Sequence, residues 1–224
     1  MKQTRQAQAE RHDESVDGRT MRRTRNRSAV ITALLDMIRE GDLHPGAAEI
    51  AERAGVSHRS IFRYFDDLDD LVRTAIDQAF VDAGDLSRIP EPGVGELDDR
   101  IARFVDARIA LFESVNGTMQ LARMRAYSIP SIDAEIAVIA QAFRGQISEH
   151  FGAELVGVPT PEREFLVDAI LVLTSYDGYS IQSRLLSSST DRIRAAWRTA
   201  IAAILRPCPA ADSGGRPATP AAAS

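Results

Sequence analysis

The sequence predicts an all-α fold, with an N-terminal helix-turn-helix head and a larger helical body behind it. Three observations predict it. Apolar residues recur at i, i+3, i+4 and i+7 nearly throughout. No run alternates apolar and polar residues with period two. One glycine-bearing turn, Gly55-Val56-Ser57, separates two short amphipathic stretches.

The elements follow in order. Residues 1–20 are polar, without apolar periodicity, and are expected to form a disordered arm. A head is expected over 21–86. Val30, Ala33, Leu34, Met37 and Ile38 set a helix across 22–41, ended by Gly41. Two short helices lie within Ala47–Tyr64, and Leu68, Leu71, Val72, Ala75, Ile76, Ala79 and Phe80 mark another over 67–84. The stretch 89–95, IPEPGVG, breaks the pattern and is the expected junction. A body over 96–206 follows, with helices at 96–114, 117–127, 132–151 and 161–187 and a last one through Ile193, Trp197 and Ile201. Residues 207–224 are rich in Pro, Ala, Gly and Ser and are expected to be a disordered tail.

Composition excludes several classes. The 224 residues are 44% hydrophobic and 26% charged, enough for a core without covalent staples. The single cysteine, Cys208, excludes an intrachain disulfide framework and a cysteine-based zinc site. His12, His44, His58 and His150 show no i, i+3 or i+4 pairing, so no metal site is expected. No P-loop, G-x-G-x-x-G or G-x-S-x-G occurs, so neither a cofactor nor catalytic residues are expected. No stretch is long and apolar enough for a membrane span, and the N-terminus has no apolar signal core, so a cytoplasmic protein without a membrane partner is expected. The net charge is −5, yet residues 1–65 carry 12 basic and 9 acidic side chains. The basic excess lies in this N-terminal part of the chain, which also holds the turn.

Ala47–Tyr64 reads AAEIAERAGVSHRSIFRY. Ile50, Ala51 and Ala54 give the first helix one apolar face, and Gly55 supplies the positive φ of a tight turn. Val56 plugs the core, Ser57 is placed as N-cap, and Ile61 with Tyr64 or Phe65 faces inward. His58, Arg59, Phe62 and Arg63 then point outward with Ser60 at the edge, the arrangement of a recognition helix that carries polar and basic groups to base edges and phosphates.

Residues 28–71, above all IAERAGVSHRSIFRYFDDLDDL, resemble the head of the TetR family of bacterial transcriptional regulators. The pattern is carried by Ile50, Ala51, Ala54, Gly55, Val56, Ser57, Ser60, Ile61, Phe62, Tyr64, Phe65 and Leu71. The resemblance implies a homodimer on a palindromic site in double-stranded DNA, and a small-molecule effector in the body. It places Ser57, His58, Arg59, Ser60, Phe62, Arg63 and Tyr64 at the DNA, with Arg25 and Arg27 ahead of them. The family often has Thr where this chain has Pro45 or Gly46, which leaves that phosphate to backbone N–H groups near Gly46. Its usual Lys near Leu68 is missing, Phe62 replaces the commoner Tyr, and Arg22, Arg23, Arg25 and Arg27 could compensate.

In the body, Phe165–Leu173 is apolar nearly all round, and Ala195, Ala196, Ala200, Ala202 and Ala203 line the last helix. These two helices are expected to form a two-fold interface through Ile170, Leu173, Ile193, Trp197 and Ile201, the alternative being a central helix wrapped by its own chain. Phe104, Arg108, Phe112, Met119, Met124, Tyr127, Phe143 and Tyr176 are the aromatic, thioether and charged side chains suited to an effector site, the alternative being core. Arg108 lies on an apolar stripe and needs a counter-charge; Asp168 and Asp177 are candidates. The expected function is a DNA-binding transcriptional regulator, a repressor released from its operator by an effector. An effector-independent regulator and an all-α enzyme are the alternatives.

Overall fold

The computed structural model describes residues 2–206, with side chains from residue 20 onward; the stretch 207–224, Cys208 included, lies outside the described residues. Every regular element among the described residues is helical. The chain packs as two units. One is the chain up to Ile89 together with Ala107–Ala142, and the other is Pro90–Asp106 together with the chain from Phe143 onward. This grouping differs from a head at 21–86 and a body at 96–206.

The first unit begins with α1 (Lys2–Arg39), α2 (Ala47–Arg53), α3 (His58–Tyr64) and α4 (Leu68–Asp82). Helix α1 starts well before residue 22, so the expectation of a disordered arm over 1–20 is corrected for the backbone. That stretch lacks an apolar stripe, so periodicity cannot reveal it; its Ala, Arg, Gln and Glu residues are strong helix formers and no Pro interrupts them. Gly41, at φ +97°, ends the helix, with its N–H donated to the Ile38 carbonyl at 3.1 Å. Val30, Leu34 and Ile38 of α1 form the core with Ile50 and Ala51 of α2, Ile61, Tyr64 and Phe65 at α3, and Leu71, Val72, Ala75 and Ile76 of α4. Leu121 and Ala122 from α5 (Leu97–Ala126) and Ile132 and Ile136 from α6 (Pro130–His150) complete it, which is why the later part of α5 and the earlier part of α6 are grouped with the head.

The two helices expected at 96–114 and 117–127 are one, α5. Gly117 does not interrupt it. A Cβ there would lie 2.7 Å from the Ile38 carbonyl oxygen, so glycine is what lets α1 pack this close. A mid-helix glycine costs about 0.5–1 kcal/mol relative to Ala, which the helix tolerates.

The second unit contains α7 (Gly152–Leu155), α8 (Thr160–Leu173), α9 (Tyr176–Ser180), a π-helical turn (Ile181–Leu185) and α10 (Thr190–Leu205). The single helix expected over 161–187 is thus broken after Leu173. Thr174 Oγ1 turns back to the Ile170 carbonyl at 2.7 Å, and Ser175 Oγ accepts the Gly178 N–H at 3.0 Å, starting α9. A Cβ on Gly178 would lie 2.5 Å from the Leu173 carbonyl oxygen, so this corner needs glycine. Phe104, Ile147, Phe151, Val167, Ile170, Ile193, Trp197 and Ile201 are all buried in this unit.

The stretch 89–95 is held by side chains rather than left as a bare linker. Arg100 donates to the Gly95 carbonyl at 3.1 Å and to the His150 carbonyl at 2.9 Å, and pairs through both terminal nitrogens with the Glu154 carboxylate. His150 is fully buried; its Nε2 lies 2.9 Å from the Arg100 carbonyl and its Nδ1 accepts the Gly93 N–H at 3.4 Å. That pattern puts the single proton on Nε2. Burial foremost holds the imidazole below its ordinary value, so it is neutral at pH 7.

Candidate nucleic-acid interface

The turn is built as its residues dictate. Gly55 has φ +65°, and Val56 donates its N–H to the Ala51 carbonyl at 3.0 Å, closing α2. Ser57 takes the N-cap position of α3 with extended backbone, but its hydroxyl bonds to the Ser60 hydroxyl at 2.8 Å instead of capping a backbone N–H. Ile61 and Tyr64 face the core. Ser57, His58, Arg59, Phe62 and Arg63 are exposed and Ser60 is half-buried. The Phe62 ring is 48% exposed, held edge-on by His58 at 5.1 Å between centroids. One face of α3 thus presents two arginines, a histidine and an open aromatic ring.

Helix α1 brings further basic groups to the C-terminal end of α3. The Arg27 guanidinium carbon lies 4.9 Å from the Phe65 ring centroid, and that of Arg63 lies 5.0 Å from the Tyr64 centroid. Arg63 Nη2 donates to the Tyr64 hydroxyl at 2.8 Å, and Asn26 Nδ2 donates to the same oxygen at 3.3 Å. These hydrogen bonds, that of Asn26 first, outweigh burial and hold the Tyr64 phenol below its ordinary value, with Arg63 and Arg23 adding through space. Among the described residues none of Arg22, Arg23, Arg25, Arg27, Arg59 or Arg63 forms an ion pair. A group of uncompensated arginines around a recognition helix is an electrostatic seat for phosphates. Asn26 was not foreseen. Its one sequence signal is position: it continues the i+4 row of Val30, Leu34 and Ile38, so a polar side chain there sits where an apolar one would be expected.

Part of the acidic run after α3 is engaged locally. Asp67 caps α4 by accepting the Asp70 N–H at 2.7 Å, Asp70 pairs with Arg73 at 2.6 Å, and Asp69 pairs with Arg125 at 3.3 Å. The Gly46 N–H donates to Glu49 Oε2 at 2.7 Å, so in the free chain it is engaged by a carboxylate.

The expected interface residues in the second unit are also redistributed. Ile170, Ile193, Trp197 and Ile201 are at most 1% exposed within a single chain and Leu173 is half-buried, so the first four are packed in the core of their own chain. The open face of α8 is Phe165, Ala169 and Val172, and that of α10 includes Ala195, Ala196 and Ala203. Periodicity marked α8 as apolar on every side without saying which side its own chain covers.

Of the side chains expected at an effector site, Phe104, Arg108, Phe112, Met119 and Tyr176 are buried and Phe143 is half-buried. Met124 is exposed and Tyr127 is 97% exposed, so Tyr127 lines no cavity of this chain. Burial pushes the Arg108 guanidinium down to about 9, which leaves it charged at pH 7. Asp168, one expected counter-charge for it, pairs instead with Arg144 at 2.6 Å. Two clefts in the first unit, of about 390 and 110 Å³, are lined by other residues; Arg39, Glu113, Asn116 and Gln120 supply polar groups to the larger. No helix among the described residues is long and apolar enough to cross a membrane.

Comparison with known proteins agrees with this geometry. Residues 30–75 match the family described as bacterial regulatory proteins, tetR family. No curated protein matches the sequence. The fold is similar to that of a tetR-family transcriptional regulator from Streptomyces coelicolor, at TM-score 0.66 and 20% identity over 80% of this chain and 79% of that one. It is similar to a transcriptional regulator from Rhodococcus sp. Rha1, at TM-score 0.61 and 23% identity over 80% and 95%. It is also similar to the multidrug binding protein EbrR complexed with imidazole, at TM-score 0.56 and 22% identity over 85% and 93%. The matched residues 30–75 hold the end of α1, all of α2 and α3, and the first half of α4.

Proposed function

We propose that this TetR-like DNA-binding transcriptional regulator works in the cytoplasm as a homodimer on a palindromic operator, as a repressor that a small-molecule effector releases. The observation that carries the DNA-binding part is the exposed face of α3, His58, Arg59, Phe62 and Arg63, flanked by the arginines of α1. Base edges are read by the first turn of such a helix, and phosphates hold its far end. A two-fold dimer would set two copies of α3 about 34–36 Å apart, one turn of B-DNA. The open apolar residues Phe165 and Val172, each 70% exposed, support an interface between copies. The effector part is supported by the likeness to EbrR, a multidrug binding protein, and an effector acts only through differential affinity for the DNA-competent state.

Selection of tight-binding duplexes from a random pool, followed by sedimentation, tests this reading. An inverted repeat bound by two protomers is the expected result. Phe165→Asp should give monomers that bind the repeat far more weakly. Enrichment of no sequence would overturn the DNA-reading claim; a single half-site bound by a monomer would overturn the dimer.

A further inference from the structure

We infer that Asn26 is a positioning residue that turns the Tyr64 hydroxyl proton toward a DNA phosphate, making α1 part of the contact surface. This rests on the reading that the head binds duplex DNA. A phenol oxygen has one proton to donate and two lone pairs to accept with. Here both lone pairs receive donors: Arg63 Nη2 at 2.8 Å and Asn26 Nδ2 at 3.3 Å. The hydroxyl proton is left pointing away from both, and among the described residues no acceptor is bonded to it. The Tyr64 ring is buried, so only its polar tip can reach outward.

The surroundings select an anionic acceptor. Arg63 lies over the Tyr64 ring, Arg27 lies over the ring of Phe65, and Arg23 acts through space on the same hydroxyl. A phosphate oxygen in this group would accept from Tyr64 and be drawn by the cations. Asn26 and Arg27 are consecutive on α1 and reach consecutive aromatic residues at the end of α3, Tyr64 and Phe65. The residue pair 26 and 64, 38 apart in sequence, therefore links α1 to the recognition helix through one oxygen atom.

The test uses the full chain and a selected duplex, with a scrambled duplex beside it. Tyr64→Phe should lower affinity roughly tenfold on both duplexes, the size expected for a hydrogen bond to a charged group. Asn26→Ala should lower it by a similar or smaller factor, leave base preference unchanged, and leave the melting temperature of the free protein unmoved. The double variant should bind no worse than Tyr64→Phe alone, because both remove one contact. Single methylphosphonate substitutions should reveal one phosphate whose neutralisation harms the wild type more than either variant, in which only the attraction of the arginines is left to lose. Multiplying effects, a silent Asn26→Ala beside a damaging Tyr64→Phe, or a change of base preference in Asn26→Ala would overturn the inference alone. A wild type that binds no duplex at all would overturn the DNA-binding reading and this inference with it.

Discussion

The guanidinium carbon of Arg27 lies 4.9 Å from the centroid of the Phe65 ring, which joins the basic segment of α1 to the residue that closes α3. Phe65 is buried and Arg27 half-buried, so the arginine rests against the head core. Arg27→Ala should reduce affinity for specific and scrambled duplexes alike and lower the slope of log K against log salt by about one phosphate contact. It should cost the free protein no more than about 1 kcal/mol, the usual worth of an exposed cation–π contact. Arg27→Lys keeps the charge but loses the planar stack, so it should fall between the two. Anisotropy titrations over a salt series check this.

Gly55 separates backbone strain from steric fit. Its φ is +65° and a Cβ there would meet nothing within 4 Å. Any loss on substitution therefore comes from the left-handed conformation. Gly55→Val should destabilise the head by about 1–3 kcal/mol and weaken DNA binding, whereas Gly55→Asn should be nearly neutral. Urea unfolding of the two variants gives the comparison, and equal losses would place the cause elsewhere.

His150 makes the second unit sensitive to acid. Its ordinary value of 6.5 is lowered in the fold, mainly by burial, with Arg103 and Arg100 opposing its charge and Glu154 favouring it. The unfolded chain therefore binds the proton first as pH falls. Stability is full above about pH 6.5 and is lost as pH drops through the lowered folded value, by at most about 1.4 kcal/mol per pH unit for one group. A protonated ring would also clash with the Gly93 N–H, which now donates to Nδ1. His150→Gln should flatten the urea midpoint between pH 7 and pH 5 relative to wild type. Equal slopes would show that this ring does not govern the acid response.

Much of the head was legible because its constraints are local. Ile50, Ala51, Ala54, Val56 and Ile61 mark buried faces within a few residues of one another, and Gly55 announces its positive φ by identity. What the sequence could not show is non-local. Asn26 reaches Tyr64 across 38 positions, and Gly117 reads as an interruption until the Ile38 carbonyl is seen against it. The corner at Thr174 and Ser175 depends on two short hydroxyl bonds that any Ser or Thr could make or omit. Apolar spacing predicts that a face is covered but not by what. Spacing alone thus does not say that Trp197 and Ile201 are buried by their own chain, or that Tyr127 stands open.

In the proposed function α3 reads DNA bases with its first turn and grips phosphate with its last, and Arg59 and Arg63 divide those tasks. Both are exposed, and Arg63 is tied to Tyr64 by a hydrogen bond at 2.8 Å. The direct measurement is fluorescence anisotropy of the wild type, Arg59→Ala and Arg63→Ala on the selected operator and on a scrambled duplex across a salt series. Arg59→Ala should lose about 1–3 kcal/mol on the operator only, with preference relaxed at one base pair per half-site. Arg63→Ala should weaken both duplexes equally and reduce the salt slope by about one. If both variants bind both duplexes as the wild type does, α3 is not the DNA-reading surface.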